Sequence, residues 1–167
     1  MMDDQKRLEQ WATHEAGHAL VGYLTGHKVC MIEIPPQGDL NPHCRLYYAP
    51  KRSDAPEKRI QANFAANLAG SEAEDLLLGR HDDEAKKVDE KYAKDQARIV
   101  SSFWYRATNG LSDDRLEIHR EPGRKQAQQI LADHWRHLEA LRDALIERRR
   151  IECPETFEIL AKVCAEE

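Results

Sequence analysis

The sequence predicts a mainly α fold of the α+β kind: a helical array with a small two-stranded β-ribbon, in one domain spanning residues 1–167. Three observations carry this expectation. Apolar residues recur at threes and fours over most of the chain. Only two short runs, Val29–Ile34 and Arg45–Ala49, are rich in strand formers, and prolines close both. A chain of 167 residues suits one hydrophobic core and leaves little room for two.

Taken in order, residues 4–25 read as a helix. Leu8, Trp11, Ala12, Ala19, Leu20 and Tyr23 recur at helical spacing, Asp3 or Asp4 caps the start and Gly26 ends it. Val29–Ile34 is the first strand, stopped by Pro35 and Pro36. The stretch 37–43 is turn-rich, with Gly38, Asn41 and Pro42, and Arg45–Ala49 is the second strand, closed by Pro50. Together they form an antiparallel ribbon beside the first helix. After Asp54 the chain turns helical, with Ile60, Phe64, Leu68 and Leu76–Leu78 as apolar positions up to Gly79. The charged stretch 80–87 reads as a loop. Residues 88–106 read as the next helix, ended by Asn109-Gly110, and a loop follows to about Pro122-Gly123. One long helix then carries Ile130, Leu131, Trp135, Leu138, Leu141 and Leu145, with the solvated end Glu147–Arg150. Cys153-Pro154 breaks it, and Pro154 opens a last short helix through Val163.

Composition narrows the functional classes. Hydrophobic residues make up 41% of the chain and charged residues 33%, enough apolar material for a modest core under a polar surface. The net charge is −5, and no basic patch carries interleaved aromatics, which points away from nucleic acid. No apolar run approaches the roughly 20 residues that cross a bilayer, and the acidic Met1-Met2-Asp3-Asp4 start is unlike a signal peptide. Cys30, Cys44, Cys153 and Cys164 form no Cys-x-x-Cys pair, so free thiols in a reducing cytoplasm are expected, with a Cys30–Cys44 pairing across neighbouring strands as the alternative. No Gly-x-x-x-x-Gly-Lys-Ser/Thr loop is present to cradle ATP phosphates.

The stretch "WATHEAGHALVGYL", residues 11–24, contains His-Glu-x-x-His. Residues four apart on a helix share a face, so His14 and His18 can aim two imidazoles at one point. Zinc takes nitrogen ligands at about 2.0–2.1 Å, and a catalytic site uses three protein ligands plus a water. Glu15, one position on, is too displaced to share the metal easily but close enough to take a proton from a water beside it. The plain alternative is a chance motif in a helix-rich chain. Two features favour the site: Gly17 and Gly22 inside the helix, each costing roughly 1 kcal/mol against Ala, suggest close approach by a neighbour, and two histidines in a buried helix need partners. The extended pattern His-Glu-x-x-His-x-x-Gly-x-x-His is excluded, because Val21 and Leu24 stand where it requires Gly and His. Glu72, Glu74, Asp75, Asp89 and Asp95 all remain as third-ligand candidates on spacing alone.

At these residues the chain resembles the peptidase domain of FtsH, a family of membrane-anchored, ATP-dependent zinc proteases. The likeness covers "HEAGHALVGYL", then "NLAGSEAEDLLLG" (residues 67–79), "DEKYAKDQARIV" (89–100) and "GLSD" (110–113), in the family's order over nearly the whole chain. The resemblance implies a helical zincin fold with a small ribbon, His14, His18 and Asp89 as zinc ligands and Glu15 as the general base. It also implies that the outer strand, with Arg45, Leu46, Tyr47 and Tyr48, pairs with an extended polypeptide substrate. The chain departs from the family in two ways. Lys87-Val88 precede Asp89 where the family has Ser/Ala-Asn, leaving Asp95 or Glu74 as fallback ligands, and neither a transmembrane helix nor an ATPase module is present.

The resulting expectation is an ATP-independent zinc endopeptidase acting on flexible or unfolded polypeptide, starting at Met1 and standing alone, as a homo-oligomer or beside a separate ATPase. A second reading is a catalytically silent peptide-binding or regulatory module, and a third is a purely structural helical protein. The remaining histidines are expected to be bland: His134 and His137 on a polar helix face, His119 in an exposed loop, and His43 as a loop residue before the outer strand.

Overall fold

The computed structural model describes residues 4–36, 42–48, 55–105 and 111–164. The elements are α1 (Asp4–Leu24), β1 (His27–Glu33), β2 (His43–Tyr48), α2 (Pro56–Leu78), α3 (Asp83–Tyr105), α4 (Asp113–Asp133), α5 (Trp135–Arg148), β3 (Arg150–Glu152) and α6 (Cys153–Cys164). The fold is mainly helical with a small antiparallel sheet, as the sequence predicts.

Helix α1 is buried without interruption from Ala12 to Gly22, so it behaves as a central helix rather than a surface one. Gly17 lets α2 approach closely. A Cβ at Gly17 would sit 2.6 Å from both the Ala69 carbonyl oxygen and the Ala73 Cβ, and one at Gly22 would sit 2.8 Å from the Leu46 side chain. Both glycines thus serve the close approach that their cost in a helix suggested. Helix α2 opens on Pro56, whose missing N–H costs nothing in a first turn. It closes at Gly79, whose φ of 66° lets its N–H reach the Asp75 carbonyl at 3.1 Å.

The core has two parts. One joins Ala16, Leu20 and Ile32 to Leu131, Leu138 and Leu145. The other gathers Ile60, Phe64 and Leu68 of α2 with Ala93 and Ala97 of α3 and Leu116 of α4.

Four expectations are corrected. The charged stretch 80–87 is not all loop: α3 starts at Asp83 because the Asp82 carboxylate accepts the Glu84 and Ala85 N–H groups at 2.9 and 3.2 Å, capping the first turn. The expected loop before Pro122 is helix from Asp113 onward, and Pro122 lies inside α4. Tertiary packing overrides the proline there: Leu116 is fully buried, and Gly123 lies against Phe64, where a Cβ would come within 2.6 Å. The expected single long helix breaks at His134, and Trp135, expected on its apolar side, is 43% exposed. Finally the ribbon has a third strand. Arg149 turns into the left-handed region (φ 64°), and Arg150–Glu152 then pairs with β1 with Ile151 fully buried opposite Ile32. The run expected to be a solvated helix end therefore ends in a strand, giving the order β2-β1-β3.

Strands β1 and β2 are antiparallel, with Lys28 opposite Tyr47 and Glu33 opposite His43. The register shifts between Val29 and Met31, so Cys30 is the extra residue of a bulge. Cys30, Cys44 and Cys153 are free thiols, so the alternative Cys30–Cys44 bond is absent. Asn109-Gly110, Ala49 and Pro50 lie outside the described residues. No helix among the described residues is long and apolar enough to cross a membrane.

Replacing Gly17 with Ala should destabilise the protein by on the order of 1–2 kcal/mol in urea unfolding. The overpacking against Ala69 and Ala73, about 1–3 kcal/mol, outweighs the roughly 1 kcal/mol gain in helix propensity. Unchanged or higher stability would mean that α1 and α2 are farther apart than described.

His27, buried at the start of β1, has its pKa lowered from 6.5 to about 4 by burial. The folded protein therefore binds fewer protons than the unfolded chain between those values. The sign is that stability present above pH 6.5 is lost as pH falls toward 4, by up to about 3 kcal/mol from this group. In a His27→Gln variant the slope of unfolding free energy against pH over this window should be shallower; an identical slope would remove His27 as its source.

Candidate metal centre

Helix α1 places His14, Glu15 and His18 at positions one and four apart on a buried turn. What faces them is a row on α2: Ala66, Gly70 and Glu74, successive residues four apart and so on one face. Each member of the row meets a histidine. The Ala66 carbonyl lies 2.8 Å from His18 Nδ1 and must accept its proton. The Glu74 carboxylate lies 2.5 Å from His14 Nδ1. A Cβ on Gly70 would come within 2.5–2.6 Å of both rings, so only glycine leaves them room.

These contacts fix both tautomers. With each Nδ1 donating, each Nε2 carries a lone pair, and the two Nε2 atoms stand 3.1 Å apart. Asp89, from the second turn of α3, brings its Oδ2 to 3.0 Å from His14 Nε2 and 3.4 Å from His18 Nε2. One ligand atom from each of His14, His18 and Asp89 lies within 4.8 Å of the others. Three electron-rich atoms thus converge in a buried place, and Asp89 Oδ2 is itself buried with no hydrogen-bond partner. Such a set calls for a positive charge between its members. Two imidazoles and one carboxylate, each histidine backed by an oxygen acceptor on its far nitrogen, are donors suited to zinc.

The electrostatics show the same demand for positive charge, which a proton on the rings meets when no metal does, and which a metal would meet by displacing that proton from Nε2. Burial opposes charge on His14, yet the carboxylates of Asp89 and Glu74 raise its pKa to about 10. Burial likewise opposes charge on His18, and Asp89 leads the groups that raise its pKa. Asp89 is held well below the usual carboxylate range, burial notwithstanding, by His18 and His14. Glu15 goes the other way. It is 5% exposed, and burial raises its pKa, with His18, His14 and, more weakly, His43 pulling it back.

Glu15, His18 and Asp89 border a cleft of about 370 Å³. Strand β2 contributes His43, Arg45 and Leu46 to its lining, and α3 contributes Tyr92. Strand β2 pairs with β1 alone among the described strands, which makes it the edge strand on the cleft side. Tyr47 and Tyr48 stand in β2 opposite Lys28 and His27; their side chains lie outside the described residues.

Of the five carboxylates that spacing left open, Asp89 is the one beside both histidines. Glu74 is close by but occupied with His14 Nδ1, with the Gln10 amide at 2.7 Å and with the Asp82 N–H at 2.9 Å. Asp95 pairs with Arg98 at 3.3 Å, Glu72 with Arg124 at 3.1 Å and Asp75 with His81 at 2.7 Å. Sequence reasoning missed the buttressing by Ala66, Gly70 and Glu74. The i, i+4, i+8 spacing of the row was visible, but nothing local told which face of α2 meets α1. His43, expected as a plain loop residue, is the first residue of β2 and lines the cleft. His119 lies in α4 rather than a loop. His137 is buried rather than on a polar face, its ring 5.1 Å from that of His134.

No protein-family profile matches the chain. Among curated proteins it is similar to several named ATP-dependent zinc metalloprotease FtsH. It is 31% identical over 116 residues to the one from Rickettsia bellii, covering 68% of this chain and 17% of that protein. It is 28% identical over an alignment of 190 residues to the one from Haemophilus influenzae, covering 91% of this chain and 29% of that protein. To the one from Mycoplasmopsis pulmonis it is 33% identical over 78 residues, 46% of this chain and 11% of that protein. The chain thus spans less than a third of the length of these curated relatives. At this level of identity the chain is similar to FtsH zinc metalloproteases over part of their length.

Proposed function

We propose that the chain is a single-domain zinc endopeptidase that hydrolyses peptide bonds in flexible or unfolded polypeptide. The observation that supports this best is the convergence of His14 Nε2, His18 Nε2 and Asp89 Oδ2 at a cleft lined by Glu15, His18, Asp89 and the edge strand β2. The similarity to proteins named zinc metalloproteases supports the same reading.

His14, His18 and Asp89 would hold the zinc, which supplies Lewis acidity, lowering the pKa of water toward about 7 and polarising a carbonyl. The remaining work belongs to the chain. The Glu15 carboxylate takes a proton from water as the water oxygen bonds to the scissile carbon, then returns it to the leaving nitrogen as the C–N bond breaks. Burial strengthens Glu15 as a base. Glu74 and the Ala66 carbonyl keep both imidazoles in the ligating tautomer. The backbone of β2, at Arg45, Leu46, Tyr47 and Tyr48, pairs with an extended substrate by strand addition, which requires an unfolded segment. The hydrolytic step consumes water alone, so turnover of already flexible chains proceeds without ATP. Folded substrates would need a separate unfoldase, or assembly of this chain with itself or with an ATPase. Free Cys30, Cys44 and Cys153 suit a reducing, cytoplasmic setting.

Elemental analysis of the purified protein, together with cleavage of a denatured, fluorescently labelled casein, tests this. Zinc should approach one equivalent in the wild type and in Glu15→Gln, and fall sharply in Asp89→Ala. Turnover should drop by about 10²–10⁴-fold in Glu15→Gln. Zinc bound by a wild type that never cleaves would leave a peptide-binding module instead, and activity surviving in Glu15→Gln would refute the base assignment.

Glu74→Gln is the finer probe of the surrounding shell. It keeps the shape of the side chain but loses the charge facing His14 Nδ1. Zinc affinity, measured by competition with a chromogenic chelator, should weaken about 10–100-fold. Unaltered affinity would mean that Glu74 serves only the contact with Gln10.

A further inference from the structure

The cleft contains a histidine that the metal centre does not use. His43 opens β2 and lines the same cleft as Glu15, His18 and Asp89, from the sheet rather than from the helices. It is not a loosely placed surface group. His43 stands directly opposite Glu33 in β1, and Glu33 stands directly opposite Arg150 in β3. The three side chains form one charged rung across the whole sheet: Arg150 Nη1 is 3.3 Å from one Glu33 oxygen, and His43 Nε2 is 3.7 Å from the other. An arginine anchored on the far strand thus orients a carboxylate, which in turn faces an imidazole at the cleft wall. The Glu33 and His43 side chains are 26% and 35% exposed, while Arg150 is 49% exposed and is also held by Glu152 at 2.7 Å, so the Glu33–His43 end of the rung is the better shielded from water.

We propose that His43 is a further catalytic residue, donating a hydrogen bond from its imidazole to the scissile carbonyl oxygen as that oxygen takes on negative charge, with Glu33 and Arg150 as its positioning residues. The inference rests on the peptidase reading above. The balance of the step is simple. The water oxygen bonds to the carbonyl carbon, the water proton passes to Glu15, and the carbonyl π pair moves onto oxygen. His43 stabilises that charge from the β2 side of the cleft. A preorganised donor of this kind acts on the transition state more than on bound substrate. It therefore governs kcat, whereas the β2 backbone governs KM.

The test is steady-state cleavage of denatured, fluorescently labelled casein by zinc-loaded wild type, His43→Ala, His43→Gln and Glu33→Gln, with zinc content and thermal melting recorded for each. The expected result is a fall in kcat of about 10²-fold for His43→Ala, with KM within about threefold and zinc content unchanged. The conservative His43→Gln, which keeps an N–H donor, should recover part of that loss. Glu33→Gln, which only loosens the imidazole, should lose about tenfold or less, and added imidazole should partly restore His43→Ala. A His43→Ala enzyme with wild-type kcat overturns the inference and leaves the peptidase reading standing. So does a defect that lies only in KM, or one that tracks lost zinc or lost folding and that neither His43→Gln nor imidazole relieves. A wild type that binds zinc but does not cleave overturns both.

Discussion

The packing of α1 against the Ala66–Gly70–Glu74 row of α2 is the contact on which the rest of the site depends. It is close because Gly17 and Gly70 remove the side chains that would hold the helices apart. The same closeness that buries the helices brings a carbonyl and a carboxylate onto the outer nitrogens of two histidines. One contact therefore does two things: it contributes to the core through Ala16, Ala69 and Ala73, and it sets the chemistry of the rings. A buried imidazole must satisfy both nitrogens. Here α2 satisfies one on each ring and leaves the other facing Asp89.

Asp89 completes the set from a different helix, and its position follows from how α3 begins. The Asp82 cap starts α3 six residues before Asp89, and the Asp82 N–H also donates to Glu74 at 2.9 Å. Glu74 thus touches His14, Gln10 and the turn that launches α3. Through this one carboxylate the geometry of α1, α2 and α3 is coupled. Packing of Ala93 and Ala97 against Phe64 and Leu68 holds α3 in that direction over its length.

The sheet plays a smaller part in stability than in shape. Its central strand β1 lies against α1, with Val29 and Ile32 fully buried, while β3 shields one edge and leaves the other to β2. An exposed strand edge is normally a liability that proteins blunt. Here it borders the cleft, with Arg45 and Leu46 on the lining and His43 at its head. The bulge at Cys30 bends β1 where it passes the cleft side, which re-aims the strand paired with it.

The sequence by itself determined the helical class, the α1 helix with His14, Glu15 and His18 on one turn, the strands on either side of residues 37–41, the onset of α2 soon after Asp54 and its end at Gly79. These are local: periodicity, prolines and a left-handed glycine act over a few residues. The FtsH resemblance singled out Asp89 among five carboxylates that spacing left equal. Only the tertiary structure decided what surrounds them. It ran α4 through Pro122, since burial of Leu116 and the fit of Gly123 on Phe64 outweigh a lost backbone hydrogen bond. It made a strand of Arg150–Glu152, whose pattern is too short to read alone but which pairs with β1 once α5 ends at Arg149. It also turned Gly70 and Glu74 toward the histidines and His43 toward the cleft. Periodicity tells which residues share a face, whereas which face meets which neighbour is settled by packing between segments far apart in the chain.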